Sequence, residues 1–525
     1  MRPIFYDAVV VGSGATGGAA AMALTHQGKK VLLLEAGEAI EPQSTSLKNP
    51  ADEEDFKEIQ AKKKIQASCF AFTPETHHFF VNDKDFPYTT TQGKPFIWIR
   101  NQCLGGKTNT WRRACLRMGD EDLKSESMGG LGLDWPIRYR DLQKHYNTLD
   151  RLFLIQKSRD QISFIPDGGY TKAPKIGPIG RHFKTRIEEK WLGHKVIALR
   201  MAGVLDPEKL KEVCPVCGER KSTCPSPPYT SSTATTIHSA LSTGNLEIKT
   251  NSLVYKIEVD PISRQENSVQ FVNTRTGKKN QIRTRYVILA ASTLSTLRIL
   301  LNSRSQSFPE GIGNSNGLLG KYFMDHSMGS LTCTIPKTNH KNDLTSLDEI
   351  DLYIPREPRA TKGTRPKTLG YGIQISFWRD QRQAQSLVHL LYFAETRPSK
   401  KSYVTLHPSK QDKWGIPLLR INYEYGSAEK RVQKFAMNRL REIASLMDLE
   451  PIAEVPSAPP GLSIHELGGA RMGTSARNSV IDPYNRCWDV PNILVVDGSA
   501  FVTSGTQNPT LTMMAIAMRA CEHLK

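Results

Sequence analysis

The chain lacks long apolar runs. Its apolar runs, such as residues 287–291 and 493–496, fall far short of the ~18–20 apolar residues that cross a bilayer as a helix, so no helical membrane span is expected. No apolar h-region or small-residue cleavage site precedes the first strand, because Met1-Arg2-Pro3-Ile4-Phe5-Tyr6-Asp7 leads straight into it. That pattern reads as the absence of an export signal; it makes the cytoplasm the default location and the periplasm an option only for export with a signal-bearing partner. Cysteine is scarce, nine in 525 residues, which excludes a small disulfide-framed fold. Acidic residues are outnumbered, 52 against 70 Lys and Arg, for a net charge of +18. The basic residues are nevertheless scattered, with only short clusters such as Lys62-Lys63-Lys64, and no nucleic-acid motif accompanies them. A solvated basic surface or an acidic redox partner would each account for the charge. Internal repeats are absent too, and a hydrophobic content of 38% is enough for a large core.

What is present begins at the amino terminus. Residues 7–11 read as a buried strand, Gly12-Ser13-Gly14-Ala15-Thr16-Gly17-Gly18 as a glycine turn, and residues 19–26 as a small-residue helix. Gly12 permits the tight turn, Gly14 lets a pyrophosphate approach the backbone, and Gly17 lets the helix pack on the sheet. A second strand at 30–34 ends in Glu35, at the spacing where a carboxylate can bind ribose hydroxyls. Strand, turn, helix, strand and acid together predict a dinucleotide site with Ser13 and Ala15 in its loop.

Chemistry reappears near the other end. Residues 492–496 read as a buried strand delivering Asp497-Gly498-Ser499, and Gly505-Thr506-Gln507-Asn508-Pro509-Thr510 opens a helix over 511–523. Upstream lies Ser463-Ile464-His465-Glu466-Leu467-Gly468-Gly469. Alone, His465 reads as a loop histidine and Asn508 as a helix cap. Joined to a dinucleotide site, they read as a catalytic pair.

Between these ends, residues 326–454 alternate short strands at 369–377, 387–393, 403–406 and 418–425 with a helix over 428–447, a pattern that suits an antiparallel sheet with helices on one face. Residues 41–89 are polar and poorly periodic, as in a lid or an interface.

With the glycine segment, Leu104-Gly105-Gly106-Lys107-Thr108-Asn109-Thr110-Trp111, residues 287–301, Gly320-Lys321-Tyr322-Phe323-Met324-Asp325-His326 and the His465 and Asn508 segments, the sequence resembles the glucose–methanol–choline (GMC) oxidoreductases over nearly its whole length. Within them it is most similar to bacterial sugar and glycoside dehydrogenase catalytic subunits, through residues 87–96 and 134–137. The resemblance implies an α/β fold. A Rossmann-like FAD-binding domain would be assembled from residues 1–40, 90–325 and 455–525, and an inserted α+β substrate domain, 326–454, would roof the active site with its antiparallel sheet.

It also implies FAD rather than free NAD, as Glu35-Ala36-Gly37 favours. Gly105, Gly106, Thr108, Asn109 and Thr110 would meet the flavin, Val254 the adenine, and Asp497, Gly498, Asn508, Pro509 and Thr510 would bring a helix amino terminus to the ring, where it can stabilise negative charge. Relatives that bind FAD covalently use a histidine in the glycine loop; residues 108–111 have none, so attachment should be noncovalent. Cys214, Cys217 and Cys224 fall where some relatives carry a three-iron cluster, though Arg220 stands where a further cysteine is common. An iron–sulfur cluster, a zinc site with a distant ligand and a metal-free loop all remain open.

The implied reaction is oxidation of an alcohol, most readily a sugar or glycoside hydroxyl to a ketone or lactone, by hydride transfer to flavin N5. His465 would take the proton, Asn508 would hold the oxygen, and a dehydrogenase with an electron-accepting partner subunit is favoured over an oxidase. The alternatives are a sterol or other apolar-alcohol oxidase with the same pair, and a noncatalytic flavoprotein subunit.

Overall fold

A computed structural model describes residues 6–40, 53–156, 158–168, 174–203, 230–260, 267–336, 350–356, 369–380 and 385–524. Its first sheet grows around Tyr6–Val11, whose Val9, Val10 and Val11 are buried, each such side chain contributing ~1.5–3 kcal/mol of transfer free energy. This strand runs parallel to Val31–Leu34 on one side and to Lys279–Leu289 on the other. Lys279–Leu289 is long enough to serve two partners on its far edge. Its first half pairs antiparallel with Asn267–Asn273, and its last residues run parallel to Ile493–Val495. The amino- and carboxyl-terminal segments therefore meet in one sheet through a strand from the middle of the chain.

Helix Ala15–Thr25 packs against this sheet and against helix Thr510–Glu522. Its small residues make that possible: a Cβ on Gly17 would lie 1.8 Å from Gly12 O, and one on Gly18 would lie 2.3 Å from Thr236 Oγ1.

The second sheet is antiparallel, in the order Glu450–Val455, Ser327–Thr334, Gln385–Ala394, Tyr371–Asp380, Leu352–Ile354, Ile197–Ala198. Strand periodicity divides its two faces. Leu331, Cys333, Ile373, Ile375, Val388, Leu390 and Tyr392 point into a core shared with helix Ser427–Leu446, which buries Val432, Ala436, Met437, Leu440 and Ile443. The alternate residues Met328, Ser376, Trp378, His389, Leu391 and Phe393 face the cavity instead.

Two expectations, one from strand spacing and one from the resemblance, differ from the structure. Residues 403–411 and 417–422 do not extend the roof; they form a small sheet with Thr89–Thr90, and Val404, Leu419, Ile421 and Tyr423 join the same core as the parallel sheet. Conversely, Ile197–Ala198, from the stretch expected to be nucleotide domain, completes the roof. Strand periodicity announces a strand and leaves its partner open. Within 41–89, the described part holds helix Glu53–Lys62 and an aromatic cluster of Phe72, Phe79 and Phe80, fastened by Lys63 Nζ donating to His77 O at 2.8 Å and to Phe80 O at 2.6 Å.

Candidate active site

A cavity of about 1290 Å³ lies between the two sheets. Gly12 turns the chain out of the first strand with φ at +98°, and its Cβ position would sit 2.5 Å from Ala290 O, so no other residue fits there without strain. At Gly14, by contrast, a Cβ would meet nothing within 4 Å: the open space lies beside the first turn of a helix that has no acidic residue in that turn, a ready site for a phosphate anion. Glu35 is buried and accepts from Ser13 N at 3.0 Å, Ser13 Oγ at 2.5 Å and Gly37 N at 2.9 Å. Burial raises its pKa, against the pull of those bonds, and the carboxylate braces the loop while also lining the cavity.

The Gly105–Thr110 loop is tied to this site by Gly105 N donating to Ser13 Oγ at 2.9 Å. Thr108 Oγ1 donates to Gly105 O at 2.6 Å and lies 3.0 Å from Ser232 Oγ. Gly12, Ser13, Gly14, Ala15, Glu35, Gly106, Thr108, Thr110, Val254, Asp497, Gly498, Asn508, Pro509 and Thr510 all line the cavity. Gly17, Gly105 and Asn109 are not on its wall: Gly17 lies at the helix–turn contact, and the Asn109 amide turns inward to Leu104 O at 3.0 Å and Cys103 Sγ at 3.2 Å. Lys107, which the sequence reading passed over, pairs with buried Glu466 at 2.7 Å. The other Glu466 oxygen, Oε1, is buried without a partner among the described residues and calls for a donor from a ligand. Open space at the start of a helix, a ribose-spaced carboxylate and an orphaned acceptor in one cavity fit FAD.

The catalytic candidates sit beneath the roof. Asp325 is fully buried, and its carboxylate accepts from Gly461 N at 2.7 Å, from Ser463 Oγ and from His465 N at 3.1 Å, which clamps the loop carrying His465 even though burial raises the Asp325 pKa to about 7. Ile464, just before His465, is held at φ +61°, a conformation disfavoured for a β-branched residue and maintained here by its surroundings. The His465 ring packs 4.9 Å from Phe393, and its Nδ1 lies 2.9 Å from Nδ1 of His326. Burial, then the neighbouring His326 and Lys107, lowers the His465 pKa well below the usual histidine range, so the ring is neutral and able to accept a proton. Asn508 Oδ1 accepts from Gln374 Nε2 at 2.7 Å. With its oxygen engaged, the Asn508 NH₂ is the group left to donate.

Further along the roof, Arg112 donates to Asp351 at 2.7 Å and to Ser376 Oγ, and Arg112 Nε is buried without a partner among the described residues. His389 Nδ1 lies 3.0 Å from Thr332 Oγ1, its neighbour across the ladder, and burial lowers its pKa to about 4. Cys214, Cys217 and Cys224 fall outside the described residues. Among the described residues no group of three or more His, Cys, Asp or Glu is arranged to hold a metal, and no helix is long and apolar enough to cross a membrane.

Comparison with known proteins agrees with this geometry. Residues 7–46 match an FAD binding domain and residues 398–517 match a GMC oxidoreductase model. The chain is 27% identical to 2-methyl-1,2-propanediol dehydrogenase of Mycolicibacterium austroafricanum over 99% of its own length and 95% of that protein's. The chain therefore carries a GMC oxidoreductase carboxyl-terminal domain beside an FAD binding domain. The chain is also 23% identical to the fructose dehydrogenase large subunit of Gluconobacter japonicus, over 98% of its length and 97% of the relative's. Its fold resembles that of pyridoxine 4-oxidase from Mesorbium loti, with a TM-score of 0.61 at 16% identity over 98% of both chains. It is accordingly an FAD-dependent enzyme acting on alcohol groups.

Proposed function

We propose that this protein oxidises a secondary or hemiacetal hydroxyl of a sugar or glycoside, with His465 as the base and Asn508 as the hydrogen-bond donor to the reacting oxygen. The observation that carries the reading is that His465 and Asn508 both line the cavity that the dinucleotide loop also lines. Bound FAD supplies the hydride acceptor, held by Glu35, the Gly12–Ala15 turn and the Gly106–Thr110 loop. The protein's own task is orientation and proton removal. Asn508 fixes the hydroxyl oxygen, His465 takes its proton, and the developing charge stays beside the amide donor.

The roof supports a hydroxyl-rich substrate. The Arg112–Asp351 pair is neutral as a unit, Ser376 and His389 stand beside it, and Arg112 Nε lacks an acceptor. A sterol, with one hydroxyl, would leave Arg112 Nε dry and unpaired, which costs ~1–3 kcal/mol for a buried polar atom. A second reading, a small 1,2-diol, is favoured by the relative named for 2-methyl-1,2-propanediol; diol and sugar share vicinal hydroxyls, so one pair could serve both.

The test is anaerobic bleaching of the flavin. Sugars or glycosides should reduce the FAD within a mixing experiment, and small diols more weakly. Bleaching by diols alone would establish the second reading, and bleaching by neither would overturn both. In the same preparation, acid should release the FAD, because residues 108–111 hold no histidine. The relative named as a large subunit supports an electron-accepting partner for this chain, which slow reoxidation by oxygen would accompany.

A further inference from the structure

We infer that His326 is a positioning residue that sets the tautomer of His465, accepting the His465 Nδ1 proton and thereby leaving the His465 Nε2 lone pair for the substrate hydroxyl. The inference deepens the proposed function and rests on its reading of His465 as the base. It starts from two carbonyls. His326 is fully buried immediately before strand Ser327–Thr334, and its Nε2 lies 2.9 Å from Gly505 O and 3.2 Å from Ser504 O. A carbonyl oxygen only accepts, so His326 Nε2 must carry a proton. Burial lowers the pKa of this ring to about 4; at neutral pH it has one proton only, and Nδ1 is a bare lone pair.

That lone pair faces His465 Nδ1 at 2.9 Å. Two lone pairs at that distance would repel, so the His465 nitrogen bears the hydrogen. His465 is itself neutral, which leaves its Nε2 unprotonated. The opposite tautomer would present an N–H to the hydroxyl and could not take its proton. The rings stand nearly perpendicular, 5.0 Å between centroids at 89°, and Phe393 packs 6.1 Å from His326 and 4.9 Å from His465, so neither imidazole is free to flip without disturbing the other.

The arrangement has a direction. When the substrate O–H bond breaks and the new Nε2–H bond forms, His465 carries a proton on both nitrogens, and its bond to His326 becomes charge-assisted. The proton goes no further, because the far side of His326 already donates to backbone oxygens. It must leave by the way it entered, from His465 Nε2. The same carbonyls belong to the segment that continues into Asn508, so His326 also registers the base against its partner.

The test uses the FAD-loaded protein and four variants. His326→Leu removes the acceptor, whereas His326→Gln keeps one acceptor and one donor. With a substrate that bleaches the flavin, His326→Leu should slow reduction roughly 100- to 10,000-fold, as expected for a base in the wrong tautomer, with the loss in kcat rather than KM. His326→Gln should stay within roughly tenfold of wild type. On a His465→Ala background, His326→Leu should cost little more, since both act through one proton. Independently of turnover, the ¹⁵N imidazole spectrum of the oxidised FAD-loaded protein should show His465 protonated at Nδ1, a pattern that weakens in His326→Leu.

Wild-type rates in both His326 variants beside a slow His465→Ala would overturn the role of His326 alone. His465→Ala at wild-type speed would overturn the base itself. If His326→Leu fails to bind FAD, the wild-type spectrum decides, and protonation at His465 Nε2 refutes the inference.

Discussion

In the parallel sheet, strand Tyr6–Val11 and its neighbours spend their side chains on the core and open onto the cavity through the turn Gly12, Ser13 and Gly14. In the antiparallel roof, strands Tyr371–Asp380 and Gln385–Ala394 bury one face only, and the other meets the cavity with Ser376, Trp378, His389 and Phe393. Backbone recognition is insensitive to side-chain identity as long as glycine is kept. Recognition by alternate side chains can change residue by residue without disturbing the core behind it. Such a division lets one family keep its cofactor while its substrates vary.

The largest effect should come from the parallel half. Gly12→Val, at φ +98° with a Cβ 2.5 Å from Ala290 O, should yield protein without yellow colour or cooperative melting. Gly14→Val, where a Cβ meets nothing within 4 Å, should fold normally and bind FAD roughly 100-fold more weakly, ~2.7 kcal/mol, by flavin titration. Equal folding defects in both would erase the distinction between packing glycine and ligand glycine.

Acid should act where the roof meets the base. Unfolded histidine takes a proton near pH 6.5, whereas buried His326 resists until about 4. The unfolded chain therefore binds more protons between those values, and the folded state loses stability as pH falls through the window, by up to about 3 kcal/mol for this residue. Thermal melts from pH 7 to 4 should show a shallower fall in His326→Gln than in wild type; parallel slopes would remove His326 as the source.

Changes confined to the roof face should spare FAD. Asp351→Ala would leave Arg112 without its carboxylate and should raise KM for a polyhydroxylated substrate roughly tenfold to a hundredfold, with FAD affinity unchanged. A matching loss of FAD would show that the two halves are not independent. Gln374→Leu should have the smallest effect. It releases Asn508 Oδ1 from its donor and should lower the rate of flavin reduction roughly fivefold to tenfold, the worth of one hydrogen bond of ~1 kcal/mol, with no change in melting beyond that of a single core substitution.

The nucleotide half was legible because its signal is local. Gly12, Gly14, Gly17 and Glu35 lie within one strand–helix–strand unit, and Ser13 N meets the Glu35 carboxylate only 22 residues on. The proposed catalytic pair, His465 and Asn508, was read through family motifs rather than spacing. What supports the pair was not: Gln374 reaches Asn508 across 134 residues, His326 reaches His465 across 139, and Arg112 reaches Asp351 across 239. No periodicity links such positions, since antiparallel strands fix register only after they have found one another. Lys107 could have been found earlier. It stands inside the Gly105–Thr110 loop, and a charged residue in a loop that lines a cavity calls for a counter-ion, which Glu466 supplies.

The central claim is that a neutral His465 removes the substrate's proton, and anaerobic stopped-flow reduction of His465→Ala tests it most directly. The FAD should remain bound with its normal spectrum, and its reduction by a substrate that bleaches the wild-type enzyme should slow roughly 100- to 10,000-fold. Reduction at the wild-type rate would contradict the claim.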